Sequence, residues 1–497
     1  VNIFAATPTE IVEEHRPAVR RSFGFLCAGI GIFVLTSLRQ TELGIFLAAM
    51  AIIALAVYPS YLWSRGKAVG LPLVPIACLG DVLWFALPIM TSRGIMELYT
   101  PAQVTKAALT EIIFLGTMIA TWRVLDSRPA SPPKAPYVIA PLMKGADYRG
   151  PLWLILFAAA TAHQVANVAG WLTGFYMSLP AGTFSLMRAI TITATTLSAF
   201  VLGMQVSRPG AVGFRIAFWS LFWLQFLALS TSLILASTLT MVLATWAGRL
   251  LGSGRIPWIS LVAILLAFQV LHAGKSEMRD RYWSLETNQI IGITPADYPG
   301  FFTEWASLGI DSFMRQDSSG SDTSLLTRAS LVQMLLYAQE RAPESVPYLN
   351  GATISIIPKL LVPRVLWPDK PRTHEGQVML NVHFGRQDLE SAQRTYINWG
   401  MLAEAYANFG MAGPALLGAA LGTLLTLVTR ASAHAPVASL RFLLSAILMT
   451  GCATATVSAL ATWTVAMFQA TVAVTLLSYP LLRRHVPAAP EPRAAAA

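Results

Sequence analysis

The chain has 497 residues, a net charge of +10, 55% hydrophobic residues and only 12% charged ones. Soluble domains carry about 25% charged residues, and a mean hydropathy of +0.57 excludes this chain from that class. It reads as an all-α polytopic membrane protein, because a bilayer excludes ionised side chains.

Length alone would allow about three soluble domains, but the repeated long apolar runs argue for one membrane unit. The three cysteines, Cys27, Cys78 and Cys452, all lie in apolar runs, so neither a disulfide framework nor a metal site is expected. No cleavable signal peptide is visible.

A span needs roughly 20 mainly apolar residues, and about twelve are predicted. The first nine fall near 22–38, 43–63, 69–91, 103–122, 152–172, 183–206, 216–233, 234–250 and 256–272. The last three fall near 400–428, 440–458 and 461–480. Residues 214–251 form one apolar stretch, too long for a single upright helix, and are split here into a tight hairpin. The chain thus divides into spans one to nine (1–272), a long loop region (273–399), spans ten to twelve (400–484) and a tail (485–497).

Basic residues set the sidedness. His15, Arg16, Arg20 and Arg21 precede the first span, and Arg65 and Lys67 follow the second. The Pro-rich stretch Arg123–Arg149 follows the fourth, and Arg208 and Arg215 the sixth. Arg249 and Arg255 lie at the end of the eighth, Arg430 follows the tenth, and Arg483 and Arg484 follow the last. All belong to one side, which the positive-inside rule makes cytoplasmic. Both termini are then cytoplasmic, and 273–399 lies outside. Translocated loops of that length do not disturb the rule.

The loop region is rich in charge and in aromatics such as Trp283, Phe301, Trp305, Tyr337, Trp367 and Trp399, which argues for order. Residues 324–341 carry a helical apolar pattern (Leu325, Ala329, Val332, Leu335, Leu336, Gln339) ended by Pro343. Residues 297–308 suit an element lying along the membrane interface. No internal repeat of the transporter kind is evident.

Six basic side chains fall between Lys359 and Arg394, which points to an anionic ligand at the membrane surface. Arginine forks match phosphate oxygens. Arg364, Lys370 and Arg372 lie within nine residues, broken by Pro363, Pro368 and Pro371, which prevent a helix and stiffen the backbone. Arg328, Arg394, Lys275 and Arg279 extend the basic set, and Arg188, early in the sixth span, could join it. His374, Glu375 and His383 offer a base for a hydroxyl, as does Glu404 inside the tenth span. A structural pair between Glu404 and an arginine such as Arg394 is the alternative. His163, Gln164 and Asn167 in the fifth span suit interhelical hydrogen bonding, and Asp81 in the third is expected to face the interior. No nucleotide-binding loop, zinc spacing or serine elbow is present, so a nucleotide donor and a cofactor are not expected.

At Val362–Pro371 (VPRVLWPDKP) and Gly400–Gly410 (GMLAEAYANFG) the sequence resembles bacterial oligosaccharide repeat-unit polymerases of the Wzy type, which make O-antigen and exopolysaccharide. Their PR-x-x-WP-x-KP loop follows an arginine-containing helix, here Thr327–Gln339 with Arg328, and precedes an E-x-Y-x-N-x-G span. The match covers roughly 270–425. The family's R-x10-G pattern is one residue short here, at Arg341 to Gly351.

The resemblance implies a metal-independent glycosyltransferase on the outer face of the bacterial inner membrane. Its substrate would be an undecaprenyl-diphosphate-linked oligosaccharide amid membrane lipids, with a chain-length regulator and a flippase of the same pathway as partners, and no nucleic acid. Arg328, Arg364, Lys370, Arg372 and Arg394 would bind diphosphate, and His374 or Glu404 would act as base. The alternatives are an O-antigen ligase acting on lipid A core, a lipid-linked oligosaccharide flippase or other transporter, and a non-catalytic secretion scaffold.

Overall fold

The computed structural model describes residues 3–37, 42–91, 98–127, 136–139, 149–179, 183–255, 258–283, 290, 292–319, 331–364, 366–394 and 397–484. It is almost wholly helical. The helices are α1 (Pro8–Glu14), α2 (Arg16–Ser37), α3 (Leu43–Ser64), α4 (Leu73–Asp81), α5 (Leu87–Thr91), α6 (Pro101–Asp126), α7 (Arg149–Val168), α8 (Thr173–Met177), α9 (Thr183–Val206), α10 (Val212–Ser230), α11 (Leu235–Ser253) and α12 (Trp258–Ala273). The loop region supplies α13 (Lys275–Tyr282), α14 (Tyr298–Ser319), α15 (Val332–Arg341), α16 (Ala352–Ser355), α17 (Ile357–Leu361), α18 (Glu375–His383) and α19 (Leu389–Arg394). The chain then re-enters the bundle as α20 (Gly400–Phe409), α21 (Ala412–Ser432), α22 (Leu440–Cys452) and α23 (Leu460–Ser478).

Among the described residues nine helices are long and apolar enough to cross a membrane, or ten if α12 and α13, bent by 53°, count as one span. The expected twelve are thus reduced, although helices occupy every expected position. The hairpin at 214–251 is present, with its turn at Thr231–Ile234 and Leu233 in the left-handed region. The tenth span is broken at Gly410 into α20 and α21. The eleventh is only the 13-residue α22, followed by a non-helical segment to Ala459. Among the described residues one antiparallel strand pair departs from the all-helical expectation, with β1 (Tyr137–Ile139) against β2 (Leu482–Arg484).

Local sequence explains several helix starts. Thr7 with Glu10 and Thr100 with Gln103 form capping boxes, each followed by proline at the first helical position, where its missing N–H costs nothing. Small residues set the closest helix contacts. A Cβ at Gly418 or Gly422 on α21 would overlap the Phe114 or Met118 carbonyl of α6; small residues let helix backbones approach in this way.

The short basic segments converge at one end of the bundle. Arg208 pairs with Glu14 at 3.3 Å, Thr9 donates from its amide to the Ala433 carbonyl, and Ile139 to that of Ala438. Arg20 Nε donates to the Ser64 carbonyl and Arg430 to that of Asp126. One shared end is what the span parity requires of these loops.

In the loop region α14 packs along α12, burying Phe301 and Trp305, and Trp305 Nε1 donates to the Leu271 carbonyl at 2.7 Å. The interfacial element expected at 297–308 is therefore the first half of a longer helix lying against a span. Helix α15 packs against α6 and α20, and its apolar face (Val332, Leu335, Leu336) is buried. The first part of the 324–341 pattern lies outside the described residues.

Candidate functional site

The basic loop begins where α17 ends. Its prolines lack N–H donors, so the carbonyls around them need other partners. Arg364 donates to the Pro368 and Pro371 carbonyls at 2.7 and 3.4 Å. Lys370 Nζ donates to Leu360 and Val362 carbonyls at 2.6 and 2.5 Å. Both cations are half-buried and brace the loop from within. Burial first, and then the neighbouring Arg364, holds the Lys370 ammonium below its usual value. Lys359 and Arg372 are exposed. At the tip Leu366 and Trp367 are 76% and 39% exposed, an apolar pair suited to the bilayer interface.

His374 stands at the N-cap of α18 and is half-buried. Burial lowers its pKa first, Arg372 lowers it further, and Glu375 opposes both. A base at this position is neutral near pH 7. A Cβ on Gly376 would lie 3.5 Å from Thr353, so the start of α18 sits on α16.

Thr353 links that helix to the Glu404 motif. Asn408 Nδ2 donates to Thr353 Oγ1 at 2.9 Å and to the Glu404 carbonyl at 2.8 Å. Asn408 Oδ1 accepts the Gly351 amide at 3.0 Å. Glu404 is 1% exposed, its Oε2 accepts the Leu460 amide at 2.7 Å, and its Oε1 is buried without a donor. Tyr406 lies beside Tyr348 and under Lys106. Gly410 has φ of 59°, a turn that lets α21 follow α20. The E-x-Y-x-N-x-G residues therefore join α20, the 348–353 segment and α23 into one buried clip.

Below the clip, a groove of about 330 Å³ runs between α21 and α23. Ile354, Phe409, Leu416, Leu424, Leu460 and Trp463 are among its apolar walls. Ile354 follows Thr353, and Leu460 is the residue whose amide Glu404 holds, so the groove opens beside the clip.

The remaining expected site residues are dispersed. Arg394 is exposed and pairs with Glu390 at 2.5 Å; the alternative pairing with Glu404 is corrected by this geometry. Arg279 donates to the Leu233 carbonyl at 3.3 Å and lies over the Trp283 ring. Arg279 and Lys275 share α13, which packs on α12 and α14. Arg188 is exposed near the start of α9. Arg328 lies outside the described residues. His383 hydrogen-bonds the Pro347 carbonyl at 2.8 Å, tying α18 to the chain before α16. His163 hydrogen-bonds Tyr176 and, at 2.8 Å, Thr191, joining α7, α8 and α9 as the interhelical reading expects.

One buried acid escaped the sequence reading. Glu111 on α6 is fully buried and meets Asp81 at the end of α4. A lone carboxylate inside an apolar run is the signal that finds such a residue. No family model matches the chain, and no curated protein or solved structure does either.

Proposed function

We propose that the protein is a membrane glycosyltransferase that polymerises undecaprenyl-diphosphate-linked oligosaccharide units, the class its two motifs resemble. The observation that carries the reading is a juxtaposition. A proline-stiffened basic loop and the half-buried His374 adjoin, through Thr353, the mouth of an apolar groove between α21 and α23. A lipid diphosphate has both features, an apolar tail and a charged head.

In this reading the polyprenyl tail lies in the groove and the diphosphate meets Arg372 and Lys359. Arg364 and Lys370 keep the loop shaped for that contact, with the unused guanidinium donors of Arg364 available to oxygen. The acceptor sugar hydroxyl attacks the anomeric carbon as the carbon–oxygen bond to diphosphate breaks. The hydroxyl proton passes to His374, a neutral base. Cations stabilise charge developing on the leaving diphosphate. The convergence of the short basic loops at the opposite end supports an outward-facing site under the positive-inside rule.

The test is incubation of the purified full chain with lipid-linked repeat units. A ladder of products on the carrier lipid supports polymerisation. Transfer to lipid A core instead assigns a ligase. Absence of both overturns the transferase reading and points to transport.

A further inference from the structure

The Asp81–Glu111 pair lies outside the site described above. Both side chains are fully buried, and they reach each other from different helices, α4 and α6. The two carboxyl groups face each other, with the Thr456 hydroxyl also facing Asp81. None of the four carboxyl oxygens receives a hydrogen bond of normal geometry from a protein donor. Among the described residues the thiol of Cys78 also faces the pair, with Cys452 beside that thiol, and no cationic side chain is among the groups acting on the two carboxyls. Lys106, further along α6, lies over the Tyr406 ring instead.

Two adjoining carboxylates in a low-dielectric interior cannot both ionise without a counter-charge. A hard cation of the calcium kind takes about six to eight oxygen ligands, more than two carboxyls and one hydroxyl provide. A proton needs only the two carboxyl groups, one donating to the other. We propose that Asp81 and Glu111 form an intramembrane proton-binding site that holds a shared proton at neutral pH.

Its neighbours connect it to the loop region. Asp81 is followed by a π-helical turn, Val82–Ala86, and the Trp84 carbonyl within it accepts the Leu331 amide at 3.2 Å, just before α15. Beside Glu111, Thr110 accepts from Gln339 of α15 at 2.7 Å. The Thr456 carbonyl accepts the Met401 amide at 3.2 Å, on the helix that carries Glu404. Gain or loss of the proton therefore acts where α15 and α20 are anchored.

The test is infrared difference spectroscopy on the full chain in lipid nanodiscs at neutral pH, wild type against Asp81→Asn and against Glu111→Gln. Either carboxamide can donate to the carboxyl that remains, so each variant is built to fold. A protonated-carboxyl stretch in wild type that is lost or displaced in both variants, and is unchanged by high sodium or potassium, supports the site. Difference bands from ionised carboxylates alone overturn it. A protonated band removed by sodium or potassium also overturns it, in favour of a cation site. Should either variant fail to insert, the wild type carrying carboxyl-¹³C aspartate and then glutamate is read instead. No isotope-shifted protonated band in either overturns the proposal.

Discussion

Glu404 caps Leu460: the buried carboxylate on α20 accepts the first amide of α23 at 2.7 Å. A helix N-terminus presents unpaired amides and favours negative charge, so the carboxylate fastens the broken span to the last one. Glu404→Gln keeps an oxygen acceptor there, and it is expected to retain insertion, stability and chain extension. Glu404→Leu strands the Leu460 amide and is expected to cost about 2–3 kcal/mol. Thermal unfolding in detergent measures both. Loss of extension in a stably folded Glu404→Gln protein would return Glu404 to the role of base.

The loop cations separate by what they touch. Arg372 is exposed, so Arg372→Ala should leave folding intact. Removing a charge-assisted contact worth about 1.5–3 kcal/mol lowers extension by about 10- to 100-fold. Glycan chain-length distributions in membranes read the effect, and wild-type chain lengths would sink its assignment to diphosphate.

Lys370→Met removes two hydrogen bonds that close the loop on α17. It is expected to expose the backbone around Val362 and Lys370 to faster hydrogen exchange and to reduce extension with it. Lys370→Arg should restore part of the protection. Unchanged exchange in Lys370→Met would show that the prolines alone hold the loop.

His374 gives the pH dependence its sign. Burial and Arg372 lower its pKa, so it stays uncharged until pH falls below the usual histidine value of about 6.5. Activity that needs neutral His374 is retained at neutral pH and lost on acidification, with an acid limb below that value. Arg372→Gln removes a lowering influence and moves the limb up. Glu375→Gln removes the opposing one and moves it down. A pH–rate profile that does not respond to either substitution rejects His374 as the base.

Hydropathy located the membrane-length helices, because burying twenty apolar residues in lipid leaves a plain signature. It was blind to interruptions inside apolar runs. The turn at Gly410, the π-helical turn after Asp81 and the non-helical stretch after Cys452 contain no charged residue that would mark them. The basic loop was legible as a non-helical element. The division of labour within it was not, because which carbonyls the prolines leave unpaired depends on the path of the chain. Glu404 and Asn408 drew notice through their motif, yet their partners Leu460 and Thr353 lie 56 and 55 residues away. Glu111 carried the signal of a lone carboxylate in an apolar span, but its meeting with Asp81 of another helix was not legible.

Sidedness provides the last prediction. Ser345 is exposed in the loop region just after α15, and Ser127 is exposed at the end of α6, among the segments that converge at the other end of the bundle. The native cysteines are buried or half-buried and provide a low background. In intact cells Ser345→Cys is expected to react with an impermeant maleimide, and Ser127→Cys only after the membrane is opened. The reverse pattern would place the basic loop and His374 in the cytoplasm. A lipid-linked donor presented outside could not reach them there, and the charge asymmetry along the chain would need a different origin.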